Sequence, residues 1–208
     1  MKQGVTEGVG RKLSHADVER IEMMKPPPCR IGVTGHRILA EMDKINAGID
    51  AALQRIERAF AERPLIIVSP LAEGADRLVA ERVLARRHAQ LIVPLPLPKA
   101  DYLNDFEDAI SKREFNELLK RAERVIELPP SPSRRVAYDA VGRYVLDQCD
   151  VLIAVWDGQL DNGTGRVVTD ARRRGLPIAW VHAGNRKPGT TEPTSLGHQQ
   201  GRVTFESF

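Results

Sequence analysis

The chain has little cysteine, few aromatics, no long apolar run and almost no excess of charge. Cys29 and Cys149 are its two cysteines in 208 residues, and neither belongs to a CxxC pair. Both border apolar runs, which predicts buried free thiols in a reducing compartment; a bond between the two stays open at this level. Aromatics make up 5% of residues and do not interleave with the basic runs, which weakens a stacking platform for single-stranded nucleic acid. No apolar run approaches the roughly 20 residues of a membrane span, and no signal-peptide pattern is visible. A cytoplasmic protein with no membrane partner is expected. Net charge is +3, and a few exposed arginines suffice for the pI of about 9.0. Arg86-Arg87, Arg134-Arg135 and Arg172-Arg173-Arg174 keep nucleic-acid binding as a second alternative. Two of these clusters close helices, where cations complement the dipole, so nucleic acid is not the expected partner.

Familiar site motifs are missing as well. There is no GxxxxGK[ST] run. Gly32-Val33-Thr34-Gly35 has the wrong spacing for GxGxxG, and the run from Gly163 to Val168 lacks its last glycine. No GxSxG elbow occurs. The five histidines show no metal-ligand spacing, so no metal site is expected and no cofactor is required.

What is present is a repeated alternation. With 42% hydrophobic and 28% charged residues the chain is of ordinary globular composition, long enough for one domain with a proper core. Residues 1–28 read as an appendage: a short helix over 13–24 capped by Ser14, then the stiff linker Pro26-Pro27-Pro28. The domain proper spans 29–184. Its apolar runs at 30–34, 65–70, 90–95, 124–128, 150–156 and 177–182 lack polar alternation, as strands covered on both faces do. Between the first two, Ile45, Ile49, Ala52, Leu53, Ile56 and Phe60 fall on one helical stripe. Further helices are predicted over 75–87, 114–121, 138–148 and 167–174. Repeated βα units imply an α/β fold: a single Rossmann-like, doubly wound domain with a mostly parallel sheet. Residues 185–208 are expected as a tail, loop or disordered until a possible short edge strand at 202–205.

In such sheets ligands bind outside the carboxyl ends of the strands. Thr34, Gly35, His36 and Arg37 follow the first strand. Ala72, Glu73, Gly74 and Asp76 follow the second. Trp156, Asp157 and Gly158, then Asn162, Gly163, Thr164, Gly165 and Arg166, follow the fifth. Small residues there free backbone N–H groups, and helix N-termini favour anions. Arg37 adds a planar donor fork, and Trp156 offers a stacking wall or a strand-end core residue. Glu73, Asp76 or Asp157 would accept bonds from a sugar or base. Each piece also has a bland reading, as turn, cap or first-turn acid; it is their convergence on one side of the sheet that argues for a pocket.

The stretches IGVTGHR, LAEGADRLVAERVLA, YDAVGRYVLDQCDVLIAVWDG and NGTGRVVTDARRRGLPI, running in order over 30–181, together resemble the SLOG superfamily. It includes the lonely-guy (LOG) phosphoribohydrolases, molybdenum-cofactor-carrier-like proteins and nucleotide-sensing domains. The resemblance implies a Rossmann-like sheet, frequent homodimers or higher homo-oligomers, and a pocket for a nucleotide or nucleotide-derived ligand, such as ADP-ribose, NAD or a nucleoside phosphate. It also exposes a departure. The LOG enzymes carry a catalytic Glu two positions after the Thr of the glycine turn; here that position is Arg166, whose charge would repel an oxocarbenium-like centre. Binding or sensing is therefore the expected function. Hydrolysis of an N-glycosidic or phosphate bond is the alternative, with Glu73, Asp76 or Asp139 supplying the missing carboxylate.

Overall fold

The computed structural model describes residues 26–61 and 63–208; the helix expected over 13–24 lies outside them. The elements are β1 (Cys29–Gly35), α1 (Met42–Ala59), β2 (Leu65–Val68), α2 (Ala75–Leu84), β3 (Gln90–Leu95), α3 (Lys99–Tyr102) with a 3-10 turn at Leu103–Asp105, α4 (Ala109–Lys120), β4 (Arg124–Glu127), α5 (Arg134–Gln148), β5 (Val151–Trp156), α6 (Gly163–Arg173), β6 (Ile178–His182) and β7 (Val203–Glu206). Among the described residues the seven strands form one sheet in the order β4-β3-β2-β1-β5-β6-β7. Every pairing is parallel except β6 with β7. This is a Rossmann-like doubly wound fold.

Strand alternation builds two cores. In β1, Ile31 and Val33 join the cluster with α1, α2 and α4, whereas an added Cβ on Gly32 would meet Val145 and Cys149 of the opposite face. In β5, Ile153 and Val155 join the first cluster, and Leu152, Ala154 and Trp156 pack under α6 with Leu146 of α5. The chain winds β1-β2-β3-β4 toward one edge, then returns through α5 to place β5 on the other side of β1. The order of strands thus reverses between β1 and β5, which is where a crevice opens at the carboxyl ends. Gly35 lies opposite Val155 in the register, so the two strands stop together.

Three helices begin four or five residues earlier than apolar spacing alone predicts, at Ala109, Arg134 and Gly163. Each start has a side-chain cap: Asp108 accepts from the Ser111 amide, Ser133 from Val136 and Asn162 from Gly165. Strand β4 departs from the expectation of two covered faces. It is an edge strand, with Val125 46% exposed. The tail is loop up to the short edge strand, as expected, and the loop is tied to the body. Gln200 is buried, accepts from the amides of Gly184 (3.0 Å) and Leu196 (3.1 Å) and donates to the Ala40 carbonyl at 2.9 Å; β7 then pairs antiparallel with β6. Cys29 and Cys149 are buried free thiols, both pushed up to about 12 by burial. Among the described residues no helix is long and apolar enough to cross a membrane.

Candidate functional site

A cavity of about 220 Å³ lies over the carboxyl ends of β1 and β2, roofed by α5 and the first turn of α6. Of the residues singled out from sequence, it brings together Thr34, Gly35, Arg37, Ala72, Asp76, Asp139, Gly163, Thr164 and Arg166. A groove of about 410 Å³ between α5 and α6 adjoins it, sharing Asp139, Gly142, Arg166 and Val167. The first cavity alone is smaller than the roughly 300–1,000 Å³ usual for whole small-molecule ligands, so a nucleotide-sized molecule would need both.

The outer wall is the start of α6. Gly165 spends its N–H on the Asn162 cap at 2.8 Å, and Arg166 spends its own on the Asn162 carbonyl at 3.1 Å. The amides of Gly163 and Thr164, first in the helix, have no intrahelical acceptor and carry the positive end of its dipole. Arg166 is held beside them by Asp139, its Nε and a terminal nitrogen lying 3.3 and 3.0 Å from the same carboxylate oxygen. Asp139 is therefore already paired. Arg37 reaches over the Tyr138 ring at 5.6 Å and donates to the Asp105 carbonyl at 3.5 Å. Asp105 in turn takes the Tyr138 hydroxyl and Arg134.

The inner wall is different. Asp76 is 7% exposed. One of its oxygens accepts from the Ala72 amide at 3.3 Å. Burial pushes its carboxyl up to about 7, against the pull of that amide and of the Arg37 and Arg77 charges. Beside it stands Tyr102, fully buried and lining the same cavity. Its hydroxyl has no hydrogen-bond partner among the described residues. Burial also raises the Tyr102 phenol well above the usual tyrosine range.

The loops that shape this wall rest on two glycines. An added Cβ on Gly35 would stand 2.5 Å from Ala75 Cβ and 2.6 Å from the Val155 carbonyl oxygen; Gly35 serves the close approach of α2 rather than a ligand. Gly74 has φ +75°, and a Cβ there would run into the Arg37 carbonyl.

Other residues expected at the pocket lie elsewhere. His36 is buried and does not line the cavity. Its Nε2 accepts from the Asp157 amide at 3.1 Å and lies 3.2 Å from the Asp157 carboxylate. Only a neutral imidazole accepts that bond, and burial lowers the His36 pKa accordingly, outweighing the Asp157 carboxylate. His36 N–H donates to Val155 and its carbonyl accepts from Ala75, so His36 stitches three elements together. Trp156 is core, 1% exposed, tilted against Trp180 at 5.3 Å and donating to the Gln159 carbonyl at 3.0 Å. Gly158, with φ +91°, faces Trp180. Glu73 accepts from Ser111 and from the Glu107 amide, and with Gly74 lines a separate groove bounded by Arg77 and Glu114. Of the three turns expected to offer backbone donors, the first two spend the amides of His36, Leu71, Ala72 and Ala75 internally, and the first turn of α6 leaves those of Gly163 and Thr164 open. Tyr102 and Tyr138, two of three tyrosines in the chain, were not among the sequence candidates; Tyr102 sits in a stretch whose spacing carries no motif.

No protein-family model matches the sequence, and no curated protein matches it.

Proposed function

We propose that this protein binds a nucleotide or nucleotide-derived ligand at the carboxyl ends of β1 and β2, with the ligand's phosphate at the N-terminus of α6. The observation that carries this reading is the meeting, at the reversal of strand order, of the open Gly163 and Thr164 amides with Arg37 and Arg166 around one cavity. The basic clusters favour this over nucleic acid: Arg172 pairs with Glu206, Arg173 with Asp170, Arg174 with Asp147 and Asp170, and Arg86 with Asp50 and Glu57. Titration calorimetry with ADP-ribose, NAD and AMP tests it. Saturable heat with at least one is expected; none with any, in folded protein, overturns it.

A second reading, cleavage of an N-glycosidic or phosphate bond, is favoured by Asp76 alone. A carboxyl that still holds its proton near neutral pH can pass it to a leaving group. Glu73 and Asp139 do not support it, being engaged with Ser111 and Arg166. Incubation with AMP, NAD and ADP-ribose should release free base if this reading holds, and Asp76→Asn should stop the release; persistence in that variant rules Asp76 out.

A further inference from the structure

We infer that Asp76 and Tyr102 form a subsite for a vicinal diol, of the kind a ribose carries, on the same ligand whose anion meets the α6 amides. The inference rests on the phosphate-binding reading above for the ligand's other end and adds the chemistry of its neutral part.

Tyr102 lines the cavity, and its hydroxyl is buried with no partner among the described residues. Leaving such a group unpaired is costly. Its ring is wedged among Phe106 at 4.9 Å, Phe115 at 5.7 Å and Tyr138 at 6.2 Å, so the aromatic cluster holds the hydroxyl where it is. Asp76 is equally fixed: its backbone carbonyl accepts from Ser69 Oγ at 3.2 Å, and the Ala72 amide engages one carboxyl oxygen. The other oxygen has no hydrogen-bond partner among the described residues, and no ion pair of Asp76 occurs among them. A buried phenol and a buried carboxyl on one cavity wall are thus left for something from outside.

Chemistry narrows what that is. An anion would oppose the ionised form of Asp76, which burial already disfavours. A cation would meet Arg37 and Arg77, whose charges both act on Asp76. An apolar group would leave both polar atoms unpaired. Adjacent hydroxyls satisfy both, one donating to the carboxyl and the other accepting from the phenol. The cavity volume of about 220 Å³ suits a phosphorylated sugar, with a base passing into the groove between α5 and α6.

The test compares AMP, 2′-deoxy-AMP and inorganic pyrophosphate by calorimetry on the full chain and on Tyr102→Phe. Loss of one good hydrogen bond is about tenfold in affinity, so AMP should bind about tenfold tighter than 2′-deoxy-AMP. Tyr102→Phe should weaken AMP about tenfold while pyrophosphate affinity holds. Because the hydroxyl bonds to no described residue, this variant keeps its fold, checked by circular dichroism. Equal affinity for AMP and 2′-deoxy-AMP with pyrophosphate still bound overturns the diol subsite and leaves the phosphate reading standing. Unchanged AMP affinity in Tyr102→Phe also overturns it. Failure of all three ligands overturns both.

Discussion

On the α6 side of the cavity, Gly163 and Arg166 are exposed, the cap is satisfied, and the one carboxylate present, Asp139, is paired. On the α2 side, Asp76 and Tyr102 are 7% and 0% exposed; the Tyr102 hydroxyl is unpaired among the described residues, and the Asp76 carboxyl has the Ala72 amide on one oxygen. The outer wall is built from what any helix start offers, at no cost to folding. The inner wall breaks the rule that buried polar groups are paired at the Tyr102 hydroxyl, and burial penalises the ionised form of Asp76; both lower stability in the unliganded chain. A fold keeps such a region only when the surrounding structure over-determines it; here the aromatic cluster, Ser69 and the His36–Asp157 stitch do so. The difference separates a generic anion site from one shaped for a particular neutral group.

The largest effect expected is from removing that over-determination. Gly74→Ala combines positive φ with a collision against the Arg37 backbone, and should cost about 3 kcal/mol or more. Gly163→Ala, whose Cβ would have only Arg166 within reach at 3.9 Å, should change stability by less than about 1 kcal/mol. Urea unfolding of both variants measures the contrast; comparable losses would mean the two walls are equally constrained.

Asp76 sharpens the comparison through pH. Its folded value of about 7 lies above the ordinary 3.8. Between those values the folded chain holds a proton that the unfolded chain has released. Stability contributed by this group therefore falls as pH rises from about 4 to 7, by up to about 1.4 kcal/mol per pH unit, and is level above that. Asp76→Asn removes the slope. The stability gap between variant and wild type should widen across that window; a constant gap would show that the folded carboxyl is ionised throughout.

The same contrast marks what could be read from sequence. The strand-end rule gathered Thr34, Gly35, Arg37, Ala72, Asp76 and the first turn of α6, because parallel strands aim their carboxyl ends one way whatever else the chain does. It could not say which way a side chain turns once the strand has ended. His36, Trp156 and Asp157 follow the same strand ends and went into the stitch and the core. Helix starts were misplaced by a turn where apolar spacing alone set them, although Asp108, Ser133 and Asn162 carried the signal as caps. Tyr102 was invisible for a plainer reason: it reaches the cavity from the short helix beyond β3, and only the sheet order brings that helix beside α2.

Tyr102→Phe should raise stability, by about 1 to 2 kcal/mol, since it deletes a buried hydroxyl with no partner among the described residues. For a chain of this size that is a rise in Tm of about 2–4 °C per kcal/mol. A variant that stabilises the empty protein while weakening the nucleotide is what separates a binding group from a structural one. A fall in Tm would mean the hydroxyl is bonded in solution and the inner wall is no different from the outer.

The smallest effect belongs to Arg166. Its ion pair with Asp139 is half exposed, the side chains being 50% and 31% accessible, and exposed pairs contribute less than about 1 kcal/mol. Arg166→Gln should leave Tm nearly unchanged. Pyrophosphate should nevertheless bind several-fold more weakly, about the loss of one charge-assisted hydrogen bond, and with a shallower dependence on salt. Asp139→Asn works in the opposite sense: it frees Arg166 from its carboxylate, so anion affinity should rise while stability again barely moves. If both substitutions change stability and leave pyrophosphate affinity untouched, the pair is a strut between α5 and α6, and the outer wall is reduced to two amides and Arg37.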